Sequence, residues 1–222
     1  MITCMKLQLV ENIGRDIWNW QNSVMAESYG VSWKKFLPSD VSVEKVRDSE
    51  YLRNYLEKKF YQSGKVSEFK SWVEHTLNFS QLQKDLEGLM NRKFSFKEVK
   101  VFITTFHRAP YDVEQGFFYL IWRDSNKEKT VTNIYHELMH FLFHIYYWET
   151  CKKANLSDTQ IHILKESSTI LLNPILEKRG LPIDSGYSKH QKMRTELREL
   201  WGKERSFELF LTQAIKLLVL QN

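Results

Sequence analysis

The sequence predicts an α+β fold, and three observations carry that expectation. About the first ninety residues hold apolar side chains at helical spacing, two short runs rich in β-branched and aromatic residues follow Phe94, and the rest returns to helical spacing. Residues 1–93 read as a helical N-terminal region and residues 94–222 as a second domain, with one continuous globule as the other reading.

The expected N-terminal helices run from Ile13 to Glu27, Glu50 to Tyr61, Glu68 to Leu77 and Gln81 to Asn91. The last opens at "SQLQ", where Ser80 and Gln83 have the spacing of a capping box, and Leu82, Leu86 and Leu89 then mark one buried face. "VKVFITTF" and "GFFYLIW" read as two antiparallel strands joined by the nine-residue turn-forming stretch "HRAPYDVEQ". A helix opens near Thr130 or Thr132, and another begins at Ser157, with Gln160 at capping-box spacing, and reaches about Leu172. "NPILEKRG" puts Asn173 at an N-cap, Pro174 at the first helical position and Gly180 at the stop. One or two amphipathic helices close the chain.

Composition narrows the function. With 14% aromatic residues and seven Trp the chain is not of the disordered class. Its net charge of +5 comes from 32 Lys and Arg interleaved with 27 Asp and Glu, the pattern of a solvated surface. "RNYLEKK" and "KHQKMR" are the only basic clusters, each short enough to be an ordinary exposed face, so nucleic acid is a disfavoured partner. Cys4 and Cys151 lie far apart without a Cys-x-x-Cys, which suits a reducing compartment. The N-terminal segment lacks the apolar core of a signal peptide and no window resembles a membrane span, so the expected location is cytoplasmic, with no membrane partner.

The chemistry concentrates in "NIYHELMHFLFH", Asn133 to His144. On a helix His136 and His140 differ by about 40° in azimuth and one turn in height, so both imidazoles reach one point beside it. Glu137 can reach a water held at that point without binding a metal itself. This is the H-E-x-x-H pattern, two neutral imidazoles holding Zn²⁺ with the glutamate as general base. Apolar residues surround the motif, and a cation offsets the cost of burying its polar groups.

A catalytic zinc site needs a third protein ligand. His144 stands about 12 Å along the axis and about 80° round from His136, so it cannot share a tetrahedral ion with the other two, and it reads as a core histidine. His162 and Glu166, on the next helix, both remain open, as does a site completed by solvent or substrate.

"HELMH" followed 26 residues later by Glu166 in "LKESSTILL" resembles the gluzincin branch of zinc metallopeptidases, and the small size is similar to the minigluzincins. The resemblance covers roughly Phe94 to Leu176. It implies a zincin-like core of small antiparallel sheet, motif helix and glutamate-bearing helix, with Glu166 as third zinc ligand. It also implies that "GFFYLIW" is an edge strand receiving extended peptide. Thermolysin-like members carry an acid four residues after the ligand glutamate; here Ile170 stands there, with Thr169 and Asn173 as the nearest substitutes.

The implied activity is peptide-bond hydrolysis with Glu137 as base. Members of this branch commonly stabilise the oxyanion with a downstream Tyr or His, and Tyr187 and His190 in "DSGYSKHQK" are the candidates. The expected partner is a peptide or protein, and by analogy with repressor-cleaving proteases of bacteria and phages it is a regulatory protein. The competing expectation is a non-catalytic regulatory or interaction module on a zincin scaffold.

Overall fold

The computed structural model describes residues 5–28, 30–204 and 206–220. In chain order they form β1 (Lys6–Val10), α1 (Ile13–Ser23), β2 (Glu27–Ser28), β3 (Val31–Ser32), α2 (Val43–Arg47), α3 (Ser49–Leu56), α4 (Lys65–Thr76), α5 (Phe79–Met90), β4 (Glu98–Thr104), β5 (Tyr111–Asp112) and β6 (Phe117–Ile121). The second half contains α6 (Glu128–Tyr146), α7 (Trp148–Lys153), α8 (Asp158–Ser168), α9 (Asn173–Lys178), α10 (Gln191–Lys203) and α11 (Phe207–Leu220). The fold is α+β, mostly helical with a small mixed sheet. No described helix is long and apolar enough to cross a membrane. Cys151 is buried and free, and Cys4 lies outside the described residues.

Two compact units interleave along the chain, one from residues 1–78 and 96–130 and the other from residues 79–95 and 131–222. In the first, the sheet runs β1-β4-β6-β5. β4 and β6 are parallel, with Val101 opposite Phe118, where the sequence suggested an antiparallel pair. The connection is long enough to cross over, and within it β5 returns antiparallel to β6. Direction was not legible because β6 is buried on both faces from Phe117 to Leu120, and a run apolar throughout reads the same either way. β6 is also not an edge strand at its start, since β5 pairs with Phe117 and Phe118. β1 pairs parallel to β4; its weak alternation among polar neighbours had hidden it.

A buried polar network fastens α1 to the end of β4. The Asp16 carboxylate accepts from Thr104 Oγ1 at 2.7 Å, from the Thr105 amide at 3.0 Å and from Thr105 Oγ1 at 2.8 Å. Tyr61, at the end of a π-helical turn from Glu57 to Tyr61 that continues α3, adds its hydroxyl at 3.2 Å. Asn19 donates to Thr104 Oγ1 and Trp20 Nε1 to Thr105 Oγ1. Four donors on one carboxylate resolve the cost of placing an acid where nothing is exposed.

In the second unit some local signals act as their spacing suggests and others do not. Ser157 and Gln160 form a reciprocal capping box that starts α8. A 3-10 turn, Thr169–Leu172, links α8 to α9, and Gly180, at φ 67°, follows the end of α9. Asn173 is the first residue of α9 rather than its cap. Its amide instead pairs with the Asp184 backbone in both directions, at 2.8 and 3.2 Å. α5 begins at Phe79, one residue ahead of the suggested Ser80 cap. Asp85 of α5 accepts Tyr135 of α6 and a two-pronged Arg179 contact at 2.8 and 3.0 Å. Tyr146 and Tyr147 at the end of α6 donate to the carbonyls of Lys93 and Met90.

Burial pushes Asp16 up to about 6 despite its four hydrogen bonds. In the unfolded chain the same group titrates near 4, so its contribution to stability is present below that pH and is lost as pH rises through about 6. Relative to Asp16→Asn, which carries no charge, the parent should therefore lose on the order of 3 kcal/mol of stability between pH 4 and pH 7. Urea unfolding of both proteins across that range measures the difference.

Candidate metal centre

α6 is apolar on nearly every face. Ile134, Leu138, Met139, Phe141, Leu142 and Phe143 are all buried, whereas in the polar cluster His140 is buried and His136 and Glu137 are half-buried. His136 and His140 stand one turn apart, with ring centroids 4.3 Å from each other and planes at 72°. α8 brings Glu166 against them: its Oε2 lies 3.5 Å from His136 Nε2 and its Oε1 lies 3.3 Å from His140 Nε2. Ligand atoms on the three residues all lie within 4.8 Å of one another. A tetrahedral ion with bonds of about 2.0–2.1 Å separates its ligand atoms by about 3.3 Å, and each imidazole lies close to that distance from one of the two Glu166 oxygens. The donor set, two imidazoles and a carboxylate, also suits zinc.

Glu137 follows His136 on the same helix, and its Oε2 is buried with no hydrogen-bond partner among the described residues. Burial, together with the charges of Glu166 and Asp184, pushes this carboxyl up to about 7, against the pull of His136 and Lys165. An orphaned carboxylate oxygen beside three convergent donors is the position a metal-held water would fill.

Asp184 is the acid that the spacing after Glu166 lacked. Its Oδ2 lies 3.5 Å from His136 Nδ1, which turns the other ring nitrogen, Nε2, toward Glu166. Thr169 donates to Oδ2, and Arg194 Nη2 contacts it at 3.2 Å. Arg194 is almost fully buried and also donates to Thr169 Oγ1 at 2.7 Å. Thr169 and Asn173, the substitutes suggested by the sequence, thus hold the acid rather than replace it. Burial opposes the charge of Asp184, but His136, Arg194 and Thr169 outweigh it and keep this carboxyl well below the usual range. Burial likewise opposes a charge on His136, and Asp184, Glu166 and Glu137 overcome it, to about 10; His140, dominated by burial and by Lys165, falls to about 3.

The other sequence candidates are placed as follows. His144 stacks on Trp148 with centroids 4.5 Å apart, and His162 meets the same indole edge-on at 5.0 Å, so these two rings flank Trp148 outside the three-residue cluster. Tyr187 and His190 lie on the segment that follows Asp184, with their rings edge-on at 5.7 Å. His190 is buried on a short 3-10 turn, Ser188–His190, that packs on α8, and it feels the charge of Glu166.

Three residues of the cluster's surroundings escaped sequence reasoning: Asp184, Arg194 and Lys165. The first two come from a loop and a later helix, where no periodicity points. Lys165 did leave a signal, since it falls four residues after Ile161 and next to Leu164 on the apolar stripe of α8, where an exposed lysine does not belong. Compared with known proteins, the chain matches no family model, no curated protein and no solved structure.

Gly186 lets the loop close on this arrangement. Its φ is 59°, and a Cβ there would sit 2.6 Å from Arg194 Nη1 and 2.7 Å from Cζ. Gly186→Ala therefore combines a left-handed backbone with a clash against an almost immobile guanidinium. It should destabilise the protein by roughly 1–3 kcal/mol, read from urea denaturation.

Proposed function

We propose that the protein is a zinc-dependent metallopeptidase of gluzincin type, with His136, His140 and Glu166 as metal ligands and Glu137 as general base. The observation that carries this reading is the convergence of three donor groups from α6 and α8 on one point, with the partnerless Glu137 oxygen beside it. A cluster built only for structure would have no use for that carboxylate, one oxygen of which is buried without a partner among the described residues.

Zinc bound there would act as a Lewis acid on the scissile carbonyl and lower the pKa of bound water toward 7. The chain's own residues have separable tasks. Asp184 fixes the ring of His136 through Nδ1 and leaves Nε2 facing Glu166. Glu137 takes a proton from the attacking water and delivers it to the departing amine nitrogen, so that one water and one amide become an acid and an amine. His190 and Tyr187 are the residues proposed to donate to the oxyanion, His190 on a turn that packs on α8 and Tyr187 next to that turn. The substrate is proposed to be a peptide or protein, and the location cytoplasmic.

One observation favours a second reading, a non-catalytic regulatory module. Lys165 Nζ lies 2.7 Å from Glu166 Oε1, so the carboxylate already has a buried counter-charge without any metal.

Native mass spectrometry of the protein in excess zinc tests the metal site. One zinc per chain is expected in the parent and its loss in Glu166→Ala; a parent that binds none overturns the site. Turnover is tested apart from binding. Glu137→Gln should retain zinc and reduce cleavage of a broad peptide library by about 10²-fold or more. A library that the zinc-loaded parent leaves uncut overturns the peptidase assignment.

A further inference from the structure

Lys165 lies among the ionisable groups of the candidate centre, and its side chain is almost fully buried, 1% exposed. Its ammonium donates to Glu166 Oε1 at 2.7 Å, the same oxygen that faces His140 Nε2 at 3.3 Å. Of Lys165, His140 and His136, Lys165 makes the shortest contact with Glu166; His136 is at 3.5 Å. The influence of the Lys165 charge extends to Glu137, His140, His144 and His162. An ammonium on a ligand carboxylate occupies one of the positions from which a divalent cation would neutralise the same group.

We infer that Lys165 is a built-in competitor for the metal: its ammonium holds the Glu166 carboxylate in the metal-free chain and weakens zinc binding, so that occupancy of the centre depends on the zinc concentration. The inference rests on the metal-site reading of His136, His140 and Glu166. Two consequences of opposite sign follow from the geometry. Without metal, Lys165 stabilises the fold, because removing it leaves the buried Glu166 carboxylate without its nearest charged partner. With metal, Lys165 opposes binding, because a like charge then stands on the same carboxylate oxygen and its burial prevents retreat into solvent. A lysine that served packing alone would lower fold stability on replacement without tightening zinc.

Lys165→Met keeps an unbranched apolar stem of similar length and removes the charge. Zinc affinity is measured by competition with a fluorescent chelator, and thermal unfolding is followed by circular dichroism with and without zinc, for the parent, Lys165→Met and Lys165→Arg. The expected result is zinc binding at least tenfold tighter in Lys165→Met, with a lower melting temperature for its metal-free form and a larger zinc-induced rise than in the parent. Lys165→Arg, which keeps the charge, should bind zinc closer to the parent. Should the Met protein not fold without metal, refolding in the presence of zinc restores it if the inference holds; failure to fold in zinc as well overturns it. Equal or weaker zinc binding by a folded Lys165→Met overturns the competitor role while leaving the metal site standing. Absence of zinc binding from both parent and Lys165→Met overturns the metal site itself, and this inference with it.

Discussion

The second unit is organised around three clustered acids, Glu166 and Asp184 buried and Glu137 half-buried with one oxygen out of reach of solvent. Each acid is accommodated differently. Asp184 is held by Arg194 and Thr169 and leans on His136. Glu166 faces two imidazoles and an ammonium. Glu137 alone leaves a buried oxygen with no partner among the described residues. Burying a polar atom without a partner costs free energy, and of the three acids only Glu137 carries that cost, with a carboxyl pushed up to about 7 as the result. The helices that frame the cluster follow from this constraint: α6 supplies the rings, α8 the acid between them, and α10 the guanidinium behind the loop.

The first unit meets the same problem by filling the hydrogen-bond capacity of its acid. Asp16 is as buried as any acid of the cluster, yet both of its oxygens are filled by hydroxyl and amide donors from Thr104, Thr105 and Tyr61. Nothing remains for a ligand to satisfy. Set beside each other, the two buried acids separate polar burial used to fasten a helix to a strand from polar burial that keeps an atom available.

Local signals were legible in the sequence where the physics is local. The capping box at Ser157 and Gln160, the stop at Gly180 and the helical spacing of His136 and His140 depend on a few neighbouring residues, and each appears in the structure where the spacing put it. The proximity of Glu166 to both histidines was accessible only through resemblance, since residue spacing left His162 equally open. What stayed hidden depends on distant pairing. The parallel register of β4 and β6 was invisible because a run apolar on both faces carries no direction. Asp184 was invisible because its place is set by Gly186, Arg194 and the amide of Asn173, residues that no single window contains together.

The interleaving of the two units has a practical meaning for anyone who would separate them. The chain passes from one to the other after residues 78, 95 and 130, so a single cut cannot release either intact. A fragment starting at Phe94 would keep every residue of the histidine–glutamate cluster and still lose α5, and with it the carboxylate of Asp85 that gathers Tyr135 and Arg179 and the carbonyls that receive Tyr146 and Tyr147. Dissection of this protein by truncation would remove the foundation while sparing the chemistry, and a silent fragment would say nothing about the chemistry.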